Sequence, residues 1–146
     1  MFELRVVRER RAGYPAPRSP LRDSATVAAA FREHCASLDR EQFIVVLLDS
    51  KNKMLGFNVV STGTLNASLV HPREVFKAAI VTNTAAIIAI HNHPSGDPTP
   101  SAEDHAITRR LVSAGQLLGI QLLDHIVLGD DGRYFSFADN DQLGEV

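Results

Sequence analysis

Apolar and polar residues change their spacing several times along the 146 positions of this chain, and each change predicts an element. Phe2, Leu4 and Val6 alternate with Glu3 and Arg5, the two-residue period of a short strand. Gly13, Pro15, Pro17 and Pro20 then predict a linker. Asp23 and Ser24 are candidate caps for a helix over 25–37, where Val27, Phe31 and Cys35 share a face. Next comes Gln42-Phe43-Ile44-Val45-Val46-Leu47-Leu48, an almost unbroken apolar run rich in β-branched residues and thus a buried strand. Ser50–Lys53 reads as a turn, and 54–61 as the returning strand. Pro72 suits the first position of a helix over Pro72–Val81, with Val75, Phe76, Ala79 and Ile80 pointing inward.

A second buried strand, 85–90, delivers His91 and His93 at its end. The proline-rich loop that follows leads into a helix from Ser101 to Leu118, closed by Gly119. Segments 122–128 and 133–137 form a hairpin across Gly129-Asp130-Asp131-Gly132. Strands and helices therefore interleave, with hairpins at both ends. The fold class is α/β, a mixed sheet flanked by helices. Residues 1–23 read as an N-terminal strand and a Pro/Arg-rich arm, and 24–146 as the domain itself.

Composition narrows the function. Hydrophobic content of 45% with 22% charged residues is that of a globular protein with a core, and no run is long and apolar enough for a membrane span. The N-terminus lacks a secretory signal pattern, so the expected location is cytoplasmic. One cysteine, Cys35, excludes an internal disulfide and reads as a small buried hydrophobe. Net charge of −2 gives no global pull toward nucleic acid. Arg5, Arg8, Arg10, Arg11, Arg18 and Arg22 nevertheless crowd the N-terminus, while acidic residues crowd the C-terminus. Two solvated ends explain this, and a basic arm for an acidic partner is the sharper reading.

The chemistry lies in His91-Asn92-His93. Strand residues i and i+2 share a face, so both imidazoles project together and Asn92 points away. Pro94 ends the strand and leaves the pair near solvent. Seven residues separate His93 from Ser101, and Asp104 follows three positions later. Two imidazoles and a carboxylate suit a divalent transition metal, and three protein ligands leave a place for water. Ser101 and Asp104 also fit a helix capping box, a purely structural role that is compatible with ligation. His34 and His105 read as surface or cap residues, His71 as a helix-start residue, and His125 as a core histidine paired with Asp124.

The pattern H-x-H, seven residues, S-x-x-D resembles the JAMM motif of MPN-domain (JAB1/Mov34) metalloproteases. The fuller string His91-Asn92-His93-Pro94-Ser95-Gly96-Asp97-Pro98, ending in Ser101 and Asp104, is similar to the bacterial RadC family, long described as DNA repair proteins. Segments 61–65, His71–Val75 and Leu123-Asp124-His125 match as well. The resemblance implies a three-layer MPN or cytidine-deaminase-like architecture. It also implies one Zn2+ per chain on His91, His93 and Asp104, a catalytic Glu41, and Ser101 as an oxyanion stabiliser. From its own residues alone, Glu41 reads as a solvated glutamate at a strand start. RadC proteins usually carry an N-terminal helix-hairpin-helix region, for which residues 1–23 are too short, so the resemblance is to a short stand-alone form.

Three functions follow as expectations. The first is a zinc metallohydrolase cleaving a peptide or isopeptide bond in a protein or peptide substrate. The second is a non-catalytic module associated with a partner or DNA in DNA repair or mobile-element maintenance, which leaves direct DNA binding open. The third, an HNH nuclease, fails because the catalytic residues of that motif are spread along a ββα unit rather than adjacent. An open sheet edge would accommodate a homodimer.

Overall fold

The two apolar runs that predict buried strands pair with each other at the centre of a sheet. The protein is seen here as a computed structural model that describes residues 1–3, 5–7, 9, 17–63 and 70–144. Its elements are α1 (Ser24–Ala36), β1 (Gln42–Leu48), β2 (Met54–Thr62), α2 (Pro72–Val81), β3 (Ala86–Asn92), α3 (Ala102–Leu118), β4 (Gln121–Leu128) and β5 (Tyr134–Ser136). The strands lie in the order β2-β1-β3-β4-β5. β3 pairs antiparallel with β1 and parallel with β4, while the outer pairs are antiparallel hairpins. The sheet is thus mixed, as the interleaving of elements predicts.

Both faces are covered, which is why β1 and β3 are apolar at nearly every position. Phe43, Val45 and Leu47 of β1 join Ile87 and Ala89 of β3 under Val75, Phe76 and Ala79 of α2 and Ile107 and Leu111 of α3. Ile44, Val46 and Leu48 join Ile88 and Ile90 under Val27, Phe31 and Cys35 of α1. Three layers result, with the sheet in the middle. Cys35 is buried as expected, and burial pushes its thiol up to about 12.

The helix starts carry the caps the sequence predicts. Asp23 accepts the Thr26 N–H at 2.7 Å to open α1. His71 opens α2 by accepting the Arg73 N–H on Nδ1, with Pro72 behind it. Gly119 ends α3 in the left-handed region, φ 72°, where a glycine carries no steric penalty.

One expected element is not seen among the described residues. Phe2, Glu3, Arg5 and Val6 are exposed and carry no strand pairing; Leu4 lies outside the described residues. Alternation predicts which face a strand would bury, but a strand persists only with a neighbour to pair and pack against. Arg8, Arg10 and Arg11, the core of the expected basic arm, also lie outside the described residues. No helix among the described residues is long and apolar enough to cross a membrane.

Candidate metal centre

β3 delivers both histidines at its C-terminal end. The strand proper stops at Asn92, and one further bond, His93 N–H to the Leu128 carbonyl at 2.9 Å, carries the pairing with β4 past it. His91 and His93 therefore keep the same face, the one that α3 covers. Asp104 enters from the first turn of α3. The expected capping box is present: the Ser101 Oγ accepts the Asp104 N–H, and Asp104 Oδ2 accepts the Ser101 N–H at 2.7 Å. Capping fixes the carboxylate without using up its ligand capacity, because each oxygen accepts more than one bond. His91 Nε2 lies 3.1 Å from Asp104 Oδ1, and His93 Nε2 lies 3.2 Å from Oδ2. The two Nε2 atoms are 3.0 Å apart. Among the described residues, these three form the one His, Cys, Asp or Glu group compact enough for a metal ion.

Hydrogen bonds beneath the trio assign its tautomers. Thr108 donates its hydroxyl proton to the Asp104 carbonyl at 2.8 Å, so its oxygen accepts from His125 Nδ1–H, 2.6 Å away. His125 is fully buried, and burial, with the neighbouring His91 second, holds it well below its ordinary value and hence neutral. Its Nε2 is then an acceptor and takes Nδ1–H of His91 at 2.8 Å. On the outer side, His93 Nδ1–H donates to the Asp97 carbonyl at 2.8 Å. Both imidazoles thus turn an Nε2 lone pair toward Asp104. Three acceptors facing one point with no donor among them repel each other unless a cation or a proton sits between. A bound metal supplies that cation, and the donor set fits one.

Charge shifts describe the same balance for the metal-free protein. The hydrogen bond to Asp104 raises His93 above its ordinary value, against the opposing effect of burial. Burial pushes the Asp104 carboxyl up, yet the bonds from His91, His93 and the Ser101 N–H outweigh it and hold the group well below the carboxylate range.

Packing separates the two histidines. His91 is completely buried, stacked on Phe43 and tilted against His125, which itself lies flat on Phe137 at 4.8 Å. His93 borders an open cleft of about 350 Å³ together with Glu41, Pro94, Ser95, Ser101, Glu103 and Asp104. Its loop is held by the β4–β5 hairpin. The Gly96 carbonyl accepts from the Asp130 N–H and from Arg133 Nη2, both at 2.9 Å. Gly129 must be glycine there, since a Cβ would stand 2.3 Å from that same carbonyl oxygen.

Glu41 and Ser101 thus meet His93 and Asp104 on one cleft. His34 bonds Gln42 from α1, and His105 packs on Phe137, so neither joins the trio. The expected pairing of His125 with Asp124 is corrected. Asp124 takes only the backbone N–H of His125; its other bonds go to Ser136 Oγ and the Ala138 N–H. Adjacent strand residues face opposite sides, so these two side chains diverge. Burial raises Asp124 above its ordinary value despite those bonds. The structural roles of His125 and Thr108 are the ones sequence reasoning missed.

Comparison with known proteins identifies relatives of this chain. The model of the RadC-like JAB domain matches residues 21–143. The chain belongs to the RadC-like JAB domain family. A UPF0758 protein of Moorella thermoacetica is 51% identical over 134 residues, 92% of this chain and 58% of that protein. Another, from Desulfitobacterium hafniense, is 52% identical over 125 residues, 86% of this chain and 55% of that one. A third, from Methanosarcina mazei, is 58% identical over 100 residues, 68% and 43% of the two chains. The matched spans therefore cover 43–58% of the length of these relatives. Within the RadC-like JAB domain, the matched span contains Glu41, the metal trio, Ser101, Thr108 and His125.

Proposed function

We propose that this domain is a zinc-dependent hydrolase of the JAMM type that cleaves a peptide or isopeptide bond in a protein or peptide substrate. The observation that carries the reading is the convergence of a three-acceptor trio with a carboxylate and a hydroxyl on one open cleft. His91, His93 and Asp104 would hold the ion. Their separations of 3.0–3.2 Å are near the edge of about 3.3 Å that a tetrahedron of bonds of roughly 2.05 Å requires. When bound, zinc supplies a water of pKa roughly 7 and polarises a carbonyl.

The chain's own residues do the rest. Glu41 precedes β1 by one residue and lies two positions from Phe43, whose partner across the ladder is His91. Glu41 and His93 are thus the next same-face positions on neighbouring strands, and the Glu41 charge contributes to holding the proton on His93. From there its carboxylate takes the proton of the attacking water and passes it to the leaving amine. The Ser101 Oγ already accepts the Asp104 N–H, so its own proton is directed to the oxyanion that develops at the attacked carbonyl. His93 and its loop form the wall past which the substrate chain enters.

The test is turnover of a panel of quenched-fluorescence peptides by the zinc-loaded protein and by Glu41→Gln. Loss of about 100-fold or more, with zinc retained, is expected for removal of a general base. Unchanged turnover in the variant contradicts the role given to Glu41.

A further inference from the structure

Asn92 stands between the two histidines and faces the opposite side of the sheet. A buried carboxamide is costly unless each polar atom finds a partner, and asparagine is a poor strand former. Asn92 is 4% exposed, and it follows Ile88 and Ile90 on an otherwise apolar face. Both ends of its amide are used. Oδ1 accepts the Gln42 N–H at 2.8 Å, and Nδ2 donates to the Arg40 carbonyl at 2.9 Å. Those two backbone groups flank Glu41.

Regular pairing of β1 with β3 runs from Leu48 opposite Ala86 to Phe43 opposite His91 and ends there. The Asn92 amide takes over where the backbone ladder stops. We infer that Asn92 is a positioning residue for Glu41: it clasps the backbone on both sides of that residue and so ties the carboxylate to the strand that carries His91 and His93. The inference rests on the proposed role of Glu41. One strand then sets both parts of the site, its odd positions holding the metal ligands and its even position holding the base. A second tether, Gly63 N–H to the Glu41 carbonyl at 2.8 Å, comes from the end of β2 and holds only one point. The placement matters because a displacement of about 1 Å at a reacting group costs on the order of 100-fold in rate.

The experiment uses the full chain loaded with Co2+, whose visible absorption reports the metal's surroundings. Wild type, Asn92→Ala, Glu41→Gln and the double variant are compared, with amide hydrogen exchange at Gln42 as a local readout. Asn92 touches no ligand side chain, so Asn92→Ala is expected to keep Co2+ affinity within about threefold, against the 10- to 100-fold typical of residues that bond a ligand directly. Exchange at Gln42 is expected to speed up by about tenfold or more as its bond is lost. The Asn92→Ala spectrum is expected to move toward that of Glu41→Gln, with no further change in the double variant. Should Asn92→Ala fail to fold, the isosteric Asn92→Asp serves: it keeps the acceptor for Gln42, loses the donor to Arg40, and is expected to shift the spectrum the same way. A wild-type spectrum in the Asn92 variants, with Glu41→Gln shifted, overturns the positioning role alone. An unshifted spectrum in Glu41→Gln overturns the reading of Glu41 itself, and the positioning role with it.

Discussion

His91 and His93 lie two residues apart on one strand, yet different parts of the molecule hold them. His91 is enclosed by Phe43, His125 and Asp104, and its Nδ1 proton feeds a chain through His125 and Thr108 back to the Asp104 carbonyl. That half of the site is built from sheet and helix and is closed to water. His93 is braced by the Asp97 carbonyl, on a loop that the β4–β5 hairpin grips through Gly96. The outer half is built from loops and borders the cleft. The closed half fixes the geometry of the trio, and the open half leaves one edge of it accessible. The proposed hydrolase would need both, because preorganised groups are useful only where a reactant can reach them.

The sharpest way to break the comparison is to remove each ring in turn. His91→Ala opens a cavity and orphans the buried Nε2 acceptor of His125, so a loss of about 3 kcal/mol or more is expected in the metal-free protein. His93→Ala removes a ring that borders the cleft and makes one bond to Asp104, and is expected to cost less, about 1–2 kcal/mol. Urea unfolding of both variants in chelator checks this, and equal losses would erase the distinction.

Next in size is the hairpin's grip on the outer half. Gly129→Ala brings a methyl group against the Gly96 carbonyl, so it is expected to cost about 1–3 kcal/mol. Metal affinity is expected to fall with it, since the Asp97 carbonyl that orients His93 rides on the same loop. Thermal unfolding and a metal competition assay on the variant read the two effects.

A subtler change strikes the inner half. Thr108→Val keeps the shape but removes the acceptor for His125 Nδ1–H, leaving the tautomer of His91 unenforced. Metal affinity is expected to fall about tenfold, whereas Thr82→Val at the C-cap of α2, whose hydroxyl bonds the Ala78 carbonyl, leaves it unchanged.

The pH dependence belongs to the outer half. His93 is raised above 6.5 in the metal-free protein. Its contribution to stability is full below that value and is lost as pH rises through the raised one. Asp104 is held below 3.8, so its contribution is present above that value and is lost as pH falls through the depressed one. Metal must displace the His93 proton, so affinity is expected to fall by up to about tenfold per pH unit once pH drops below the raised value. Titrations at pH 8, 7 and 6 measure this, and His125→Gln tests whether the inner ring contributes.

The strands and helices were legible where period and punctuation agreed. Pro72–Val81 announces its helix by a proline at the start and an inward stripe, of which Val75, Phe76 and Ala79 are buried and Ile80 is exposed, and the β1 and β3 runs announce burial on both faces. The trio was legible because its spacing joins a strand end to a helix cap. His125 was not, for a reason in the backbone. The β3–β4 register shifts between Ile87, opposite Leu122, and Ile88, opposite Asp124. Leu122 and His125 therefore share a face although an odd number of positions separates them, which simple alternation forbids. Glu41 likewise reads as a solvated residue until pairing across β1 and β3 places it on the cleft. The alternation of Phe2–Val6 yields no strand among the described residues, because it specifies a face and not a partner.

The most direct test of the metal centre is elemental analysis of protein purified without a nickel column or chelator, with His93→Ala beside it. One zinc per chain in the wild type, lost in the variant, is the predicted result. No metal in the wild type even after zinc is offered would contradict the account at its centre.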